Sequence, residues 1–321
     1  MIHVEDKRLA LSGGRTLAYA DNGNTSSSIL VLFLHGAFAV GDAARLSPVL
    51  LEKNVHFVAP SLPGWGRSSP APASSSFATT LETDITALIT HLHPQNNVKL
   101  YICSYAYGCV AAQMLYGAPY DRFSLGRQIA GVVLVAPHSP PHCHKDYAKC
   151  MSWLTYLMAG PPTRYIPFNL VPRLAKYAMA NTLSSEVKAE VFVRNLLFDS
   201  MDEPERETFA RWRDLHGVAE GQLEREMARH FVRSVAQTWR GFLDIPAIYH
   251  SGWGGYHPDN LDEDQSRRPV FVVTSRGDDM IPMAMAEWLA AHYKNAQLKV
   301  FDGGHLSGLF HLDEIWKELL E

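Results

Sequence analysis

Long apolar runs are missing from this sequence, and so is an excess of positive charge. No stretch of about 18 consecutive apolar residues occurs, so a membrane-spanning helix is not expected. Lysine and arginine number 29 against 33 aspartates and glutamates, which gives a formal charge of −4 and a pI near 6.4. A nucleic-acid-binding domain typically has a pI above about 9. We therefore expect neither a membrane nor a nucleic acid as a partner.

Cysteine is also scarce, with four residues in 321: Cys103, Cys109, Cys143 and Cys150. None belongs to a C-x-x-C pair, so in a reducing compartment we expect buried apolar side chains and no disulfide framework. Residues 1–7 carry charges of both signs without an apolar segment, which does not fit a secretory signal. The expected location is therefore cytoplasmic.

No motif for a metal or a cofactor is present. The segment 138–144 contains three histidines and a cysteine, but its spacing matches no common structural zinc site. The pair Gly13 and Gly14 belongs to a predicted hairpin turn and not to a glycine-rich phosphate loop. We therefore expect no metal and no cofactor.

What the sequence does contain is an alternation of short apolar runs with helical patterns. Continuous apolar runs such as 29–34 and 131–136 are typical of strands buried on both faces of a parallel sheet. Helical periodicity lies between such runs, for example over 77–93 and 283–293. The pattern predicts an α/β fold, with a mostly parallel sheet and helices on both of its faces.

One long region interrupts this alternation. From 139 to 242 no strand pattern occurs, while helical patterns continue, including one over 204–216 and a long one over 223–242. A strandless region between two strands predicts an inserted helical cap. The expected domains are a core of residues 1–138 and 243–321 and a cap of residues 139–242.

The most informative segment, residues 99–112, combines a buried strand, a tight turn and a helix of small residues. In a nucleophile elbow, the residues two before and two after the apex must be small, because the turn crowds their Cβ atoms. Ser104 and Gly108 satisfy this rule if the apex is Ala106. Centring the turn on Ser104 would put the β-branched Ile102 at a crowded position, so the pattern favours Ala106.

Four other segments accompany this turn in a definite order. They are a His-Gly loop at 35–38, a Pro-Gly-x-Gly-x-Ser loop at 63–68, an acidic turn at 277–282 and a Gly-Gly-His loop at 303–305. Together with the elbow, and over nearly the whole chain, they resemble the α/β-hydrolase superfamily, of the serine-hydrolase type with a helical cap. The resemblance implies an eight-stranded, mostly parallel sheet.

The resemblance also implies roles for individual residues. Ala106 occupies the nucleophile position, where serine is expected. His305 matches the general base that takes the nucleophile's proton, and Asp278 matches the acid that orients this imidazole. The backbone N–H groups of Ala37 and Tyr107 match the two donors of the oxyanion hole.

An alanine cannot attack a substrate, and two explanations for it stay open. Either a serine has been exchanged for Ala106 to trap an uncleaved substrate, or the protein is a natural non-catalytic descendant that binds a ligand. Loss of a nucleophile can cost about 10⁶-fold in kcat while the binding site stays intact. The implied function is hydrolysis of a carboxylic ester or lactone. The first alternative is a non-catalytic ligand-binding protein or receptor, and the second is an epoxide hydrolase or dehalogenase with aspartate at 106.

Aromatic residues near the elbow and in the cap predict the character of the substrate. Phe38, Tyr105 and Leu306 are expected to contact it, so the expected partner is a hydrophobic small molecule of medium size. Six cap aromatics are further candidates for lining the pocket: Trp153, Tyr156, Tyr165, Phe168, Trp212 and Trp239.

Charged residues of both signs alternate in the second half of the cap, which predicts a solvated helix face. The near-neutral composition is compatible with a monomer and with a homodimer. The acidic members of this predicted solvated face are Glu203, Glu205, Glu207, Glu220, Glu224 and Glu226, and the basic ones are Arg206, Arg211, Arg213, Arg225, Arg229 and Arg233.

Overall fold

The computed structural model of the chain describes residues 6–95 and 97–321. Residues 1–5, which carry most of the prediction that there is no secretory signal, lie outside these ranges. Within the described ranges, no helix combines the length and the apolar character needed to cross a bilayer.

The strands form one eight-stranded sheet in the order β1-β2-β4-β3-β5-β6-β7-β8. The pairs β1/β2 and β2/β4 are antiparallel, and the other neighbours are parallel, which confirms the predicted mostly parallel α/β sheet. The strands are β1 (Lys7–Ala10), β2 (Thr16–Asp21), β3 (Ile29–Leu34), β4 (His56–Pro60), β5 (Lys99–Tyr105), β6 (Ile129–Val135), β7 (Val270–Ser275) and β8 (Ala296–Phe301).

The α-helices fall into three groups along the chain. The first group lies between β3 and β6: α1 (Pro48–Glu52), α2 (Phe77–Leu92) and α3 (Gly108–Tyr116). The second lies between β6 and β7: α4 (Trp153–Ala159), α5 (Pro162–Tyr165), α6 (Leu170–Ala180), α7 (Glu186–Val193), α8 (Glu203–His216), α9 (Gln222–Val235), α10 (Arg240–Leu243), α11 (Ile245–Tyr249) and α12 (Glu263–Arg267). The third follows β7: α13 (Met283–His292), α14 (Ser307–Phe310) and α15 (Leu312–Leu320).

The prediction of one continuous helix over 223–242 is wrong, because the helix is interrupted. α9 ends at Val235, and α10 begins only at Arg240. The carbonyl of Ser234 accepts a hydrogen bond from the Gly66 backbone N–H at 2.8 Å. This carbonyl therefore already has a partner from the core loop at the point where the helical pattern stops.

Both faces of the sheet are covered by apolar side chains. Leu30, Leu32 and Ile102 belong to the larger core cluster, which includes α2 and α3. The alternate residues Val31 and Tyr101 belong to a second cluster, which includes α15. The central strands β3 and β5 are thus buried on both sides, as their continuous apolar sequences predict.

The four cysteines are free thiols, as predicted, but only two are buried. Cys103 and Cys109 are buried in the core, Cys143 is partly buried and Cys150 is exposed. The prediction of burial is therefore wrong for Cys150, which lies just before α4.

Candidate active site

The turn that follows β5 has Ala106 at its apex. Ala106 adopts a positive φ of 50°, a left-handed conformation that is uncommon for residues other than glycine. Its N–H donates to the carbonyl of Val135 at 2.9 Å, which ties the turn to the end of β6. Two residues later, a Cβ atom added to Gly108 would lie 2.1 Å from the carbonyl oxygen of Leu34. The close approach explains why this position carries a glycine.

The other centring of the turn, on Ser104, does not match the structure. Ser104 lies within β5 and is completely buried. Its hydroxyl donates to the carbonyl of Val133 and contacts the sulfur of Cys109, both at 3.2 Å. The Ser104 hydroxyl is therefore held inside the core and does not face a ligand.

Asp278 and His305 form a hydrogen-bonded pair at the ends of two neighbouring strands. Asp278 follows β7 and His305 follows β8, and the carboxyl ends of parallel strands meet at the same edge of a sheet. His305 Nδ1 lies 2.8 Å from Asp278 Oδ2. The other carboxylate oxygen accepts the backbone N–H groups of Met280 and Ile281, both at 2.9 Å. These bonds fix the carboxylate so that it can orient the imidazole.

His35 holds the loop that carries Ala37. Burial lowers the pKa of His35 to about 4, so its ring is neutral at neutral pH. Nε2 accepts the Leu62 N–H at 2.9 Å, and Nδ1 donates to the Gly36 carbonyl at 2.7 Å. A Cβ atom on Gly36 would lie 3.5 Å from the Cβ of Ala106, so this loop runs directly beside the elbow.

The two backbone N–H groups expected to form an oxyanion hole are those of Ala37 and Tyr107. Within the described residues, neither the N–H of Ala37 nor that of Tyr107 donates a hydrogen bond to the chain. Tyr107 is also the residue that precedes the first turn of α3, where N–H groups have no partner inside the helix.

A model of the Alpha/beta hydrolase family matches residues 31–318. This chain belongs to the α/β-hydrolase family. No curated protein matches it. Solved structures of similar fold include the esterase RhEst1 from Rhodococcus sp. ECU1013, at 15% identity over 98% of both chains with a TM-score of 0.59.

Two further solved α/β-hydrolase structures have similar coverage. A 2-hydroxy-6-oxo-6-phenylhexa-2,4-dienoate hydrolase from Rhodococcus sp. strain RHA1 is 20% identical over 100% of this chain and 98% of its own, with a TM-score of 0.55. Est816, an N-acyl homoserine lactone degrading enzyme, is 15% identical over 98% and 99%, with a TM-score of 0.57. Identities this low show a shared fold.

The three residues expected to contact a substrate all line one cavity of about 300 Å³. Phe38 lines this cavity and makes several aromatic contacts. Its ring is stacked on that of Phe231, with the centroids 5.4 Å apart, and is tilted against that of Phe242 at 4.9 Å. Tyr105 and Leu306 come from the elbow and from the loop after β8. Ala37 lines the same cavity, which is formed between the core and the cap helices α8 and α9.

Tyr105 also links the elbow to the histidine loop. Its ring lies 5.1 Å from that of His305, and its hydroxyl donates to the His305 carbonyl at 3.3 Å. Burial raises the pKa of Tyr105 well above its usual value, so the hydroxyl keeps the proton that this bond requires.

A second, more polar cleft of about 620 Å³ reaches His305 from another direction. Residues 196–205 of the cap form one wall, and the turns around Asp279 and Asp302 form another. The apolar cavity and the polar cleft thus approach the candidate site at different residues, Ala37 and His305.

The prediction that cap aromatics line the pocket is wrong for three of the six. Trp153, Tyr165 and Phe168 are 77%, 76% and 82% exposed. Trp212 does line the apolar cavity, and Trp239 packs edge-on against Phe38 at 6.4 Å. The local sequence does not specify which side chains of the cap meet the core.

The predicted solvated face of alternating charges is wrong for Glu205 and Glu224, which are each only 6% exposed. Glu224 pairs with Arg194 at 3.2 Å. Glu205 belongs to the candidate site: its Oε1 accepts the Gly304 N–H at 2.9 Å and the Ser307 hydroxyl at 2.5 Å. A carboxylate from the cap therefore holds the residues on both sides of His305.

Glu205 is the first member of a stripe along α8. Glu205, Phe209, Trp212 and His216 follow one another at spacings of four, three and four, which places them on one helix face. Phe209 stacks on Phe310 of α14 at 5.0 Å, and His216 Nε2 lies 3.2 Å from an Asp313 carboxylate oxygen. This spacing is visible in the sequence and is the signal that could have predicted the burial of Glu205.

His138 is a second residue near the site to which sequence analysis gave no role. It follows β6, and its ring packs edge-on against Tyr249 at 5.1 Å. Burial lowers the pKa of His138 to about 4, and the nearby His305 contributes in the same direction. His138 is therefore neutral at neutral pH and adds no positive charge next to the Asp278–His305 pair.

Proposed function

We propose that this α/β-hydrolase carries a site for a carboxylic ester or lactone of an apolar, medium-sized molecule, and that Ala106 stands at the position of a serine nucleophile. The observation that carries the proposal is the combination of the left-handed apex at Ala106 with a hydrogen-bonded Asp278–His305 pair. The apex geometry is the one that exposes a nucleophile above a sheet. An aspartate–histidine pair of this kind accepts the proton of the nucleophile.

The reaction of a chain with serine at 106 follows from this geometry. His305 accepts the serine proton while the oxygen attacks the ester carbonyl, and Asp278 stabilises the resulting imidazolium. The N–H groups of Ala37 and Tyr107 stabilise the negative oxygen of the tetrahedral intermediate. His305 then protonates the leaving alcohol, and a water molecule activated by His305 releases the acid from the acyl-enzyme.

With alanine at 106, no side chain at the elbow replaces the nucleophile. The Ser104 hydroxyl is enclosed in the core. Burial raises the pKa of Cys109 to about 12, so its thiol is not ionised at neutral pH. The unchanged chain is therefore expected to bind the substrate without hydrolysing it.

Some solved structures of similar fold are consistent with this class of reaction. Their names include esterases and a lactone-degrading enzyme. The cavity beside Ala37 and Phe38 has a largely apolar surface, which supports an uncharged acyl or aromatic group. Its lining also includes the charged residues Asp42, Arg45 and Glu226, and it does not include Ala106 or His305. A ligand-binding protein without turnover is the second candidate, and Ala106 itself is the observation that favours it.

Restoring the hydroxyl tests the proposal. Ala106→Ser is expected to hydrolyse aryl esters or simple lactones about 10⁶-fold faster than the unchanged chain, measured as initial rates of acid release. Ala136→Ser is the matched control, because Ala136 also has a positive φ of 48° and is buried, but it follows β6 and is not at the apex. This control is expected to stay inactive.

The outcomes separate the candidates. Tight binding of an ester by Ala106→Ser without turnover would overturn the hydrolase and favour the binding protein. Activity of Ala106→Asp on haloalkanes or epoxides, with an inactive Ala106→Ser, would assign the site to the aspartate type instead.

Removal of the Glu205 carboxylate is expected to weaken catalysis without preventing binding. In the Ala106→Ser chain, Glu205→Ala should lower kcat about 10- to 100-fold with KM changed little, because the loop around His305 loses two hydrogen bonds. Glu205→Gln keeps an acceptor at the same place and is expected to recover most of this loss. Rate constants and the pH profile of kcat measure the effect.

Glu207→Ala is the matched control for Glu205→Ala, because Glu207 lies one half-turn away on α8 with a side chain 64% exposed. It should leave kcat unchanged. An equal loss for Glu205→Ala and Glu207→Ala would contradict a positioning role for Glu205 and indicate a general effect of charge on α8.

A further inference from the structure

The first half of the cap has an uneven charge. Four basic residues and no aspartate or glutamate lie between positions 147 and 185, although the whole chain has a formal charge of −4. The basic residues are Lys149, Arg164, Arg173 and Lys176. Lys149 pairs with Asp146 at 2.9 Å, and the other three form no salt bridge with any described residue. Arg164 and Arg173 are exposed, whereas Lys176 is partly buried and its ammonium lies over the Trp239 ring, 5.8 Å from the centroid.

Exposed apolar side chains are concentrated in the same stretch. Among the described residues, eleven large apolar side chains are exposed, and six of them lie between positions 153 and 177. Scattered exposed apolar residues are normal, but a concentration of them marks an interaction site. The six are Trp153, Tyr165, Phe168, Leu170, Leu174 and Tyr177.

The helix α6 turns its apolar stripe away from the protein. Leu170, Leu174 and Tyr177 follow at spacings of four and three, so they share one face, and they are 50%, 61% and 85% exposed. Arg173 is exposed beside them, while Pro172 is buried. An amphipathic helix of a globular domain normally directs such a stripe at the core. In α6 the stripe is available for a partner.

The elements that carry the other exposed apolar side chains lie next to α6. α4 contacts both α5 and α6, and α6 contacts the turn at 167–169 that carries Phe168. We call the six exposed apolar side chains together with Arg164, Arg173 and Lys176 the α4–α6 surface. It combines aromatic rings, aliphatic side chains and basic groups that form no salt bridge with a described residue.

We propose that the α4–α6 surface docks on an anionic lipid bilayer. Helices that lie in a membrane interface present large apolar and aromatic side chains to the lipid, with arginine and lysine beside them. Those cations attract the negative surface of anionic phospholipids. No aspartate or glutamate lies between positions 147 and 185, so this stretch itself contributes no carboxylate that would repel an anionic surface.

A second copy of the chain fits this surface less well. A two-fold dimer brings the same patch of both copies together, so the cations of one α4–α6 surface would face those of the other. Attachment to lipid is also peripheral, since no described helix is long and apolar enough to span a bilayer. The proposal departs from the expectation of no membrane partner, which considered only spanning segments, and it does not depend on hydrolytic activity.

Flotation of the unchanged full chain with lipid vesicles tests the proposal. Vesicles of phosphatidylcholine with about one third phosphatidylglycerol are expected to bind at least about tenfold more protein than pure phosphatidylcholine vesicles, and high salt should weaken this binding. The double variant Leu174→Glu/Tyr177→Glu should lose about tenfold or more of the affinity. Arg164→Glu/Arg173→Glu should abolish the preference for the anionic lipid.

The matched control is Val191→Glu/Leu215→Glu, which adds the same charge at apolar residues that are 58% and 65% exposed on α7 and α8. It should bind the vesicles like the unchanged chain, and circular dichroism of each variant checks that the fold is retained. Absence of binding to anionic vesicles overturns the proposal. So does a loss of vesicle affinity in Val191→Glu/Leu215→Glu equal to that in Leu174→Glu/Tyr177→Glu. A dimer in solution that Leu174→Glu/Tyr177→Glu dissociates would assign the surface to a second copy and overturn it as well.

Discussion

Removing His305 from the Ala106→Ser chain is expected to lower kcat for ester hydrolysis by about 10⁶-fold, to the level of the unchanged protein. The serine hydroxyl is a weak nucleophile unless a base takes its proton as it attacks. His305 is held for this task by the 2.8 Å contact of its Nδ1 with Asp278 and by the Tyr105 hydroxyl on its carbonyl. Pre-steady-state and steady-state rates of aryl ester cleavage by His305→Ala measure the effect.

Asp278→Asn in the same Ala106→Ser chain should lower kcat about 10⁴-fold, which is a smaller loss than for His305→Ala. The imidazole stays in place, but the amide holds it in the wrong tautomer. The combined variant should be hardly slower than His305→Ala alone, since residues that act as a unit are not additive. Activity of His305→Ala within about tenfold of the Ala106→Ser chain would show that another group is the base. Ester binding by a His305→Ala variant that keeps Ala106 controls for damage to the pocket.

The parts of the fold that depend on short-range patterns were predictable from the sequence. Continuous apolar runs predict strands buried on both faces, and all eight strands lie in one sheet. The small residues Ser104 and Gly108 predict where the tight turn is centred, and the positive φ lies at Ala106. These features follow from sterics within a few residues, so a single sequence contains them.

The parts of the site that depend on the cap were not predictable in the same way. Glu205 stands among alternating charges that indicate a solvated helix, yet it is buried against the histidine loop a hundred positions later in the chain. Trp153, Tyr165 and Phe168 were expected at the pocket and are exposed. The helix that carries Glu205 was predicted correctly, but the face of it that is buried depends on long-range packing, and so does the exposure of the three aromatic residues. Only the stripe formed by Glu205, Phe209, Trp212 and His216 contains a local signal of the buried face.

Gly108→Ala is expected to destabilise the fold by about 3 kcal/mol or more, because over-packing at a site that cannot yield is among the most costly substitutions. The added Cβ would lie 2.1 Å from the Leu34 carbonyl oxygen and 2.6 Å from that of His35. Both are backbone atoms at the end of the central strand β3 and cannot rotate away as a side chain could. Urea unfolding followed by circular dichroism measures the loss as a lower midpoint with an unchanged slope.

Gly304→Ala is the control for Gly108→Ala, because a Cβ there would meet its nearest neighbour, a carboxylate oxygen of Glu205, only at 3.5 Å. It should change the free energy of unfolding by less than about 1 kcal/mol. In the Ala106→Ser chain, any Gly108→Ala protein that folds must move α3 away from the His35 loop, and with it the Tyr107 N–H at the start of this helix. Surviving protein should therefore lose ester hydrolysis as well, and normal stability with normal turnover would show that the elbow does not need its glycine.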